Sequence, residues 1–252
     1  MKKILLYSGG TDSWLIDKIW KPDIKLYVNT HGMYSEAEMK MLPFDVKIFD
    51  FPFLGSIEEQ DTAYIPMRNL YFLMIASNFG DQSGAHLCFG ATGADVGTRD
   101  KDDRFISLTQ ELFDHMLTGN SFTDDRNVVI ERQFLEDGKY SLVQKYLDAG
   151  GKLNTFMEES YCCHHPLEDG SPCWNCKPCS KKFLLGYYYG YKFNKDILDQ
   201  MTMYVYKYVI HKNGRRGTYY KDRPKDGPFD EKCIEILFHR QGITVPIDGG
   251  KQ

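Results

Sequence analysis

The chain has 252 residues, 42% hydrophobic and 26% charged, with a formal charge of -4 at neutral pH. That length buries a full core and favours one large domain or one with a small annex. The slight acidity argues against a general nucleic-acid surface. No stretch reaches the roughly 18 to 20 apolar residues of a membrane span and no signal-peptide pattern is present. A cytoplasmic location is therefore expected, where the seven cysteines serve as metal ligands or free thiols and not as disulfides.

Residues 3–7 form a hydrophobic run that reads as a buried strand. It stops at Ser8-Gly9-Gly10-Thr11-Asp12-Ser13 and gives way to residues 14–20, which have helical spacing. A strand, a glycine turn and a helix N-terminus make an anion site. The glycines let backbone N–H groups converge, Ser and Thr add hydroxyl donors, and the helix dipole favours negative charge. The loop lacks the GxxxxGK[ST] lysine and the GxGxxG spacing, so neither of those nucleotide motifs applies. A plain Gly-Gly turn is the alternative.

Residues 24–29 predict a second strand. Ser35 is expected to cap a helix over residues 36–41, with Glu38 three positions on. Residues 46–51 predict a third strand, 69–79 an apolar helix, and 86–90 a fourth strand entering the turn Ala91-Thr92-Gly93-Ala94-Asp95. A helical pattern follows over 105–116, a short strand at 128–130 and a helix over 141–147. Strands alternating with helices imply a doubly wound parallel α/β sheet, with its ligand crevice at the carboxyl ends of the strands. The glycine loop and the Gly90 turn both sit at such ends.

Cys173, Cys176 and Cys179 follow one another at CxxC spacing, with Cys162 and Cys163 upstream. Tetrahedral zinc needs four ligands, and CxxC turns present sulfurs toward one point. Cys163, Cys173, Cys176 and Cys179 satisfy that count, with Cys162 as the rival first ligand; an iron–sulfur cluster or free thiols are the alternatives. Four thiolates leave no open position, so such a metal is structural. Cys88 and Cys233 read as buried apolar residues, and His164 and His165 as solvated, with replacement of a cysteine ligand as their alternative.

The glycine loop resembles the SGGxDS pyrophosphate loop of the ATP pyrophosphatase superfamily. Three further segments resemble one branch of it, the 7-cyano-7-deazaguanine synthases. Tyr64 to Asn69 resembles that family's (Y/V)PxRN segment, and Gly90 with Asp95 its G-x-x-x-x-D turn. Ser160-Tyr161-Cys162-Cys163 with Cys173, Cys176 and Cys179 resembles its zinc loop. Where the family usually carries Tyr-Pro-Asp-Cys, residues 98–105 differ, and only Asp100 holds a comparable position. The resemblance spans residues 1–186 and places a synthase domain there, with its zinc loop at 162–179; residues 187–252 read as a helical or irregular extension that it does not cover.

The resemblance implies an adenine-nucleotide-hydrolase-like fold and an ATP-dependent ligase. Such an enzyme converts 7-carboxy-7-deazaguanine and ammonia to the nitrile through an adenylated carboxylate and an amide. Ser8, Gly9, Gly10, Thr11, Asp12 and Ser13 would bind pyrophosphate, with Mg²⁺ bridging Asp12, and Val28 and Gly90 would line the nucleotide site. Ser13, Asp12, Arg68 and Asp95 are the implied catalytic set. Helix capping by Asp12, a surface salt bridge by Arg68 and turn stabilisation by Asp95 are the structural alternatives; Asn69 is expected to cap the helix that follows it, and Asp102 and Asp103 to lie in a solvated loop. Stopping at the amide, amidation or thiolation of a nucleic-acid base, and non-catalytic nucleotide binding are the competing functions. The expected partners are small molecules, a deazapurine and ammonia. No membrane or nucleic-acid partner is expected, although Lys212, Arg215, Arg216, Lys221, Arg223 and Lys225 with Tyr219 and Tyr220 form a basic tail segment; homodimerisation is open.

Overall fold

The computed structural model describes residues 1–95, 98–119, 121, 122, 124–211 and 225–243. Of the basic tail segment only Lys225 lies among them; the other seven residues lie outside the described residues. The chain divides into two compact units, Met1–Asp137 and Gly138–Gln252. Gly186, the end of the expected synthase domain, lies within a helix of the second unit.

The first unit is built on five strands: β1 (Lys2–Leu6), β2 (Ile24–Asn29), β3 (Val46–Asp50), β4 (Gly84–Cys88) and β5 (Asn127–Ile130). All pair in parallel, in the order β3-β2-β1-β4-β5. The central strands are continuous apolar runs because helices cover both faces of such a sheet. Ile4, Leu5 and Leu26 have no solvent exposure, whereas the edge strand β3 buries only Val46.

Helices α1 (Thr11–Trp20), α2 (Ser35–Lys40), α3 (Pro52–Ser56), α4 (Arg68–Ser77) and α5 (Asp103–Met116) connect the strands. Trp14, Leu15 and Ile16 of α1 are buried, each worth about 1.5–3 kcal/mol of transfer free energy. One core gathers Leu26 and Val28 from β2, Leu73 from α4, Leu87 from β4 and Ile106 and Phe113 from α5.

Two expected caps are not formed. Ser35 lies inside α2, and Tyr34 occupies the cap position. The Ser35 hydroxyl instead accepts from Gly32 N–H at 3.0 Å and lies 3.3 Å from the Thr30 hydroxyl, so the preceding loop has captured it. Asn69 likewise lies inside α4, where Met67 holds the cap position in a left-handed conformation (φ 57°). Asp102, expected to be a solvated loop residue, caps α5 by accepting from Phe105 N–H at 2.7 Å.

The second unit is helical: α6 (Lys139–Asp148), α7 (Leu153–Glu159), α8 (Lys177–Tyr188), α9 (Lys195–His211) and α10 (Gly227–Arg240). Its core packs Phe183 and Leu184 of α8 against Met201 and Val205 of α9 and Leu237 and Phe238 of α10, together with the cysteines. A buried network joins three helices: Asp230 accepts from Lys181 and, at 2.8 Å, from the Tyr140 hydroxyl. The Tyr140 ring stacks on Phe229 at 5.0 Å.

Candidate functional site

The strand order fixes where a ligand can enter the first unit. The chain winds from β1 outward through β2 to β3, then returns to place β4 and β5 on the other side of β1. Connections therefore leave β1 and β4 in opposite directions, and a crevice opens at their carboxyl ends. Leu5 pairs with Cys88, so Ser8 to Ser13 and Gly90 to Asp95 leave neighbouring strand ends.

Gly9 has φ 73°, while a Cβ there would meet only ordinary contacts of 3.9–4.0 Å; backbone conformation, not space, requires the glycine. Gly10 occupies the N-cap of α1 with no side-chain cap, so Asp12 is a first-turn residue and not the cap. The leading N–H groups of a helix lack intrahelical partners and face outward. The Ser13 hydroxyl donates to Gly10 carbonyl at 3.1 Å and lies 3.4 Å from the Ser8 hydroxyl. The Gly10 N–H in turn donates to the Ser8 hydroxyl at 3.4 Å. This turn ties its own hydroxyls together and presents them beside the helix dipole, which suits an oxyanion.

On the β4 side, Gly90 has φ 70°, and a Cβ added there would meet nothing within 4 Å. Asp95 ends a short 3-10 turn, Gly93–Asp95. One Asp95 oxygen accepts from the Thr92 N–H and hydroxyl at 3.2 and 3.3 Å, and the other accepts from Lys101 at 3.2 Å. Its geometry is that of a turn-holding carboxylate. Asn69 reaches across from α4 to donate to the Asp100 carboxylate at 2.8 Å and to the Asp100 carbonyl at 3.2 Å. Arg68, beside it, lies over the Phe72 ring at 6.0 Å. Its charge also acts on Glu38, whose carboxyl burial pushes upward while the Tyr27 hydroxyl and Arg68 pull it down. Tyr27 donates to Glu38 at 2.8 Å. Val28 is buried in β2 opposite Phe49 of β3.

Sequence reasoning missed a polar cluster at the carboxyl ends of β2 and β3. His31 Nε2 lies 2.8 Å from Asp50 Oδ1, and Asn29 donates to the same oxygen at 2.7 Å. Hydrogen bonds from His31 and Asn29 hold the Asp50 carboxyl below its ordinary range. The signal was a histidine shortly after β2 and an aspartate closing β3.

In the second unit the sulfurs of Cys163, Cys173, Cys176 and Cys179 all lie within 4.8 Å of one another, and three of these residues are buried. A tetrahedral zinc thiolate, with Zn–S about 2.3 Å, sets its sulfurs about 3.8 Å apart. Cys162 falls outside this group of four, although its sulfur lies 3.7 Å from that of Cys179. Backbone amides converge on the sulfurs: Cys173 N–H on Cys163 and Asn175 N–H on Cys173, both at 3.3 Å. Further amides, of His164 and Cys179, favour an ionised Cys176. Hydrogen bonding among the crowded thiols and burial push Cys176 and Cys179 upward, against ionisation, and a coordinated cation reverses that by deprotonating its thiol ligands outright. Amide donors, burial and four soft ligands fit zinc, and the cluster can hold such a metal. Cys88 and Cys233 are buried, and burial pushes both thiols up to about 12. His164 and His165 are exposed.

The family model described as "Queuosine biosynthesis protein QueC" matches residues 46–184, more than half of the chain. The chain belongs to the QueC family. The matched stretch contains Arg68, Asn69, Asp95, Asp100 and all four grouped cysteines, and it begins after the glycine loop. Two curated relatives carry the name 7-cyano-7-deazaguanine synthase. One, from Frankia casuarinae, is 25% identical over 131 residues, covering 51% of this chain and 53% of its own length. The other, from Rhizorhabdus wittichii, is 25% identical over 207 residues, covering 71% of this chain and 87% of its own length. The chain thus spans about half the length of the first relative and most of the second. No solved structure matches at a comparable level. Among the described residues, no helix is long and apolar enough to cross a membrane.

Proposed function

We propose that this chain is an ATP-dependent carbon–nitrogen ligase that converts 7-carboxy-7-deazaguanine and ammonia to 7-cyano-7-deazaguanine. The observation that carries the reading is the glycine turn at the end of β1, set beside the Gly90 turn at the switch point of a parallel sheet. Membership of the QueC family and the names of its relatives supply the substrate class.

A carboxylate is a poor electrophile because its charge repels a nucleophile and oxide is a poor leaving group. Attack of a carboxylate oxygen on the α-phosphorus of ATP forms an acyl adenylate and expels pyrophosphate. Ammonia then displaces AMP to give the amide. A second ATP activates the amide oxygen; loss of AMP and protons leaves the nitrile. Each activation builds negative charge on the departing pyrophosphate. The first-turn N–H groups of α1 and the hydroxyls of Ser8, Thr11 and Ser13 are the donors for it. Mg²⁺, held by Asp12, would neutralise phosphate charge that this carboxylate would otherwise repel. Arg68, seated on Phe72, supplies a fixed cation for the phosphates or the substrate carboxylate. Asn69 and Asp95 act on the loop around Asp100 and not on the reacting atoms. Zinc on the four cysteines has a folding role, because a tetrathiolate site keeps no open position.

The test is incubation of the purified protein with 7-carboxy-7-deazaguanine, ammonium, ATP and Mg²⁺, followed by mass spectrometry of the deazapurine. The nitrile is expected. Accumulation of the amide alone would place the endpoint one activation earlier, and unchanged substrate would overturn the assignment.

A further inference from the structure

Helix α8 carries two adjacent buried lysines that meet different fates. Lys181 has a carboxylate partner, Asp230. Lys182, only 2% exposed, donates to the Ser160 carbonyl, and among the described residues no carboxylate pairs with it. Ser160 stands immediately upstream of Tyr161, Cys162 and Cys163, so this bond ties the ammonium to the segment that brings the first cysteines of the cluster. Lys182 stands one helical turn beyond Cys179, so its side chain lies on the same face of α8 as that ligand.

An ammonium in a protein interior without a counter-charge costs several kcal/mol. Four thiolates around a divalent ion carry a net charge of -2, which is equally unfavourable when buried. Each solves the other's problem.

We infer that Lys182 is the counter-cation of the cysteine-bound metal: a positioning residue, fixed by the Ser160 carbonyl, whose charge offsets that of the metal–tetrathiolate unit and so holds the ion in place. The inference rests on the reading of the cysteine cluster as a zinc site. The lysine is not a ligand, since all four positions are filled by sulfur. Its effect is electrostatic, so it depends on charge and survives a change of head-group shape.

The experiment compares zinc release from wild type, Lys182→Gln and Lys182→Arg into a chromophoric chelator, with melting curves taken in the zinc-loaded and stripped states. Gln keeps a donor for the Ser160 carbonyl but removes the charge; Arg keeps both. The expected result is release about 10- to 100-fold faster for Lys182→Gln, loss of most of the zinc-dependent rise in Tm, and near-wild-type behaviour for Lys182→Arg. In the stripped state the order should invert, because an unpaired buried ammonium then burdens the wild type and not the Gln variant. Wild-type release from Lys182→Gln would overturn the inference and show that Lys182 serves only the carbonyl. If the Gln variant does not fold, Lys182→Met is read through the zinc-dependent rise in Tm: a rise smaller than that of the wild type supports the charge role, and an unchanged rise, with loaded and stripped states destabilised alike, contradicts it. Wild-type protein that neither contains nor takes up zinc would sink the metal site itself, a separate failure read from metal content alone.

Discussion

At the scale of single residues, the proposed anion site makes its sharpest prediction at Ser13. Its buried hydroxyl donates to the Gly10 carbonyl and lies against the Ser8 hydroxyl, so its oxygen is positioned before any ligand arrives and only its proton has to turn toward one. Preorganised donors of this kind are worth about 10²–10³ in rate. Ser13→Ala is therefore expected to lower pyrophosphate release by about that factor, while removing one modest hydrogen bond, about 1 kcal/mol, from stability. A parallel measurement of turnover and urea unfolding separates the two effects. Glu38 makes a different residue-scale prediction. Burial raises its carboxyl above the ordinary 4.5, so between that pH and its folded value the native state binds more protons than the unfolded chain. Stability must then fall as pH rises through this window. Glu38→Gln, which keeps an acceptor for the Tyr27 hydroxyl, is expected to flatten the pH dependence of urea unfolding and to gain on wild type toward higher pH.

At the scale of elements, the strands are legible because buried parallel strands are uninterrupted apolar runs; β2 is legible at its full extent, Ile24–Asn29. Helix starts are less so. The capping pattern at Ser35 and Glu38 is real as a string, but Gly32 and Thr30 claim the serine and Tyr27 claims the glutamate. Asn69 misleads for the same reason, since its partner Asp100 lies 31 residues away. Local pattern cannot see a tertiary competitor. Gly84, by contrast, carries no sequence signal beyond being glycine, yet it has φ 119° and a Cβ there would collide with the Asn127 carbonyl of β5. Gly84→Ala is expected to unpair the start of β5 and to cost more than the roughly 1 kcal/mol of an ordinary helix or strand substitution. Asp102→Ala, removing the cap of α5, should cost about 0.5–2 kcal/mol. Chemical denaturation measures both.

For the molecule as a whole, the two units depend on different forces. The first is held by a sheet and its apolar core, the second by helices packed around a cysteine cluster. The cluster is legible from spacing alone, because a metal site is written in ligand intervals. The choice between Cys162 and Cys163 is not, since adjacent residues differ only in direction, and geometry groups Cys163 with the other three. Lys182 is invisible for a related reason: a lysine in sequence reads as surface, and only burial reveals otherwise. Stripping the metal with a chelator is expected to lower the thermal stability of the helical unit and to leave the sheet unit's own transition in place. Calorimetry with and without zinc reads this directly.

The central claim concerns which phosphate bond of ATP is broken over the glycine turn of α1. Nucleotide products should be followed by chromatography while wild-type protein turns over ATP with 7-carboxy-7-deazaguanine and ammonium. AMP and pyrophosphate in equal amounts, formed only when the carboxylate is present, are expected. ADP and orthophosphate would contradict activation by adenylation, and with it the role assigned to Ser8 through Ser13.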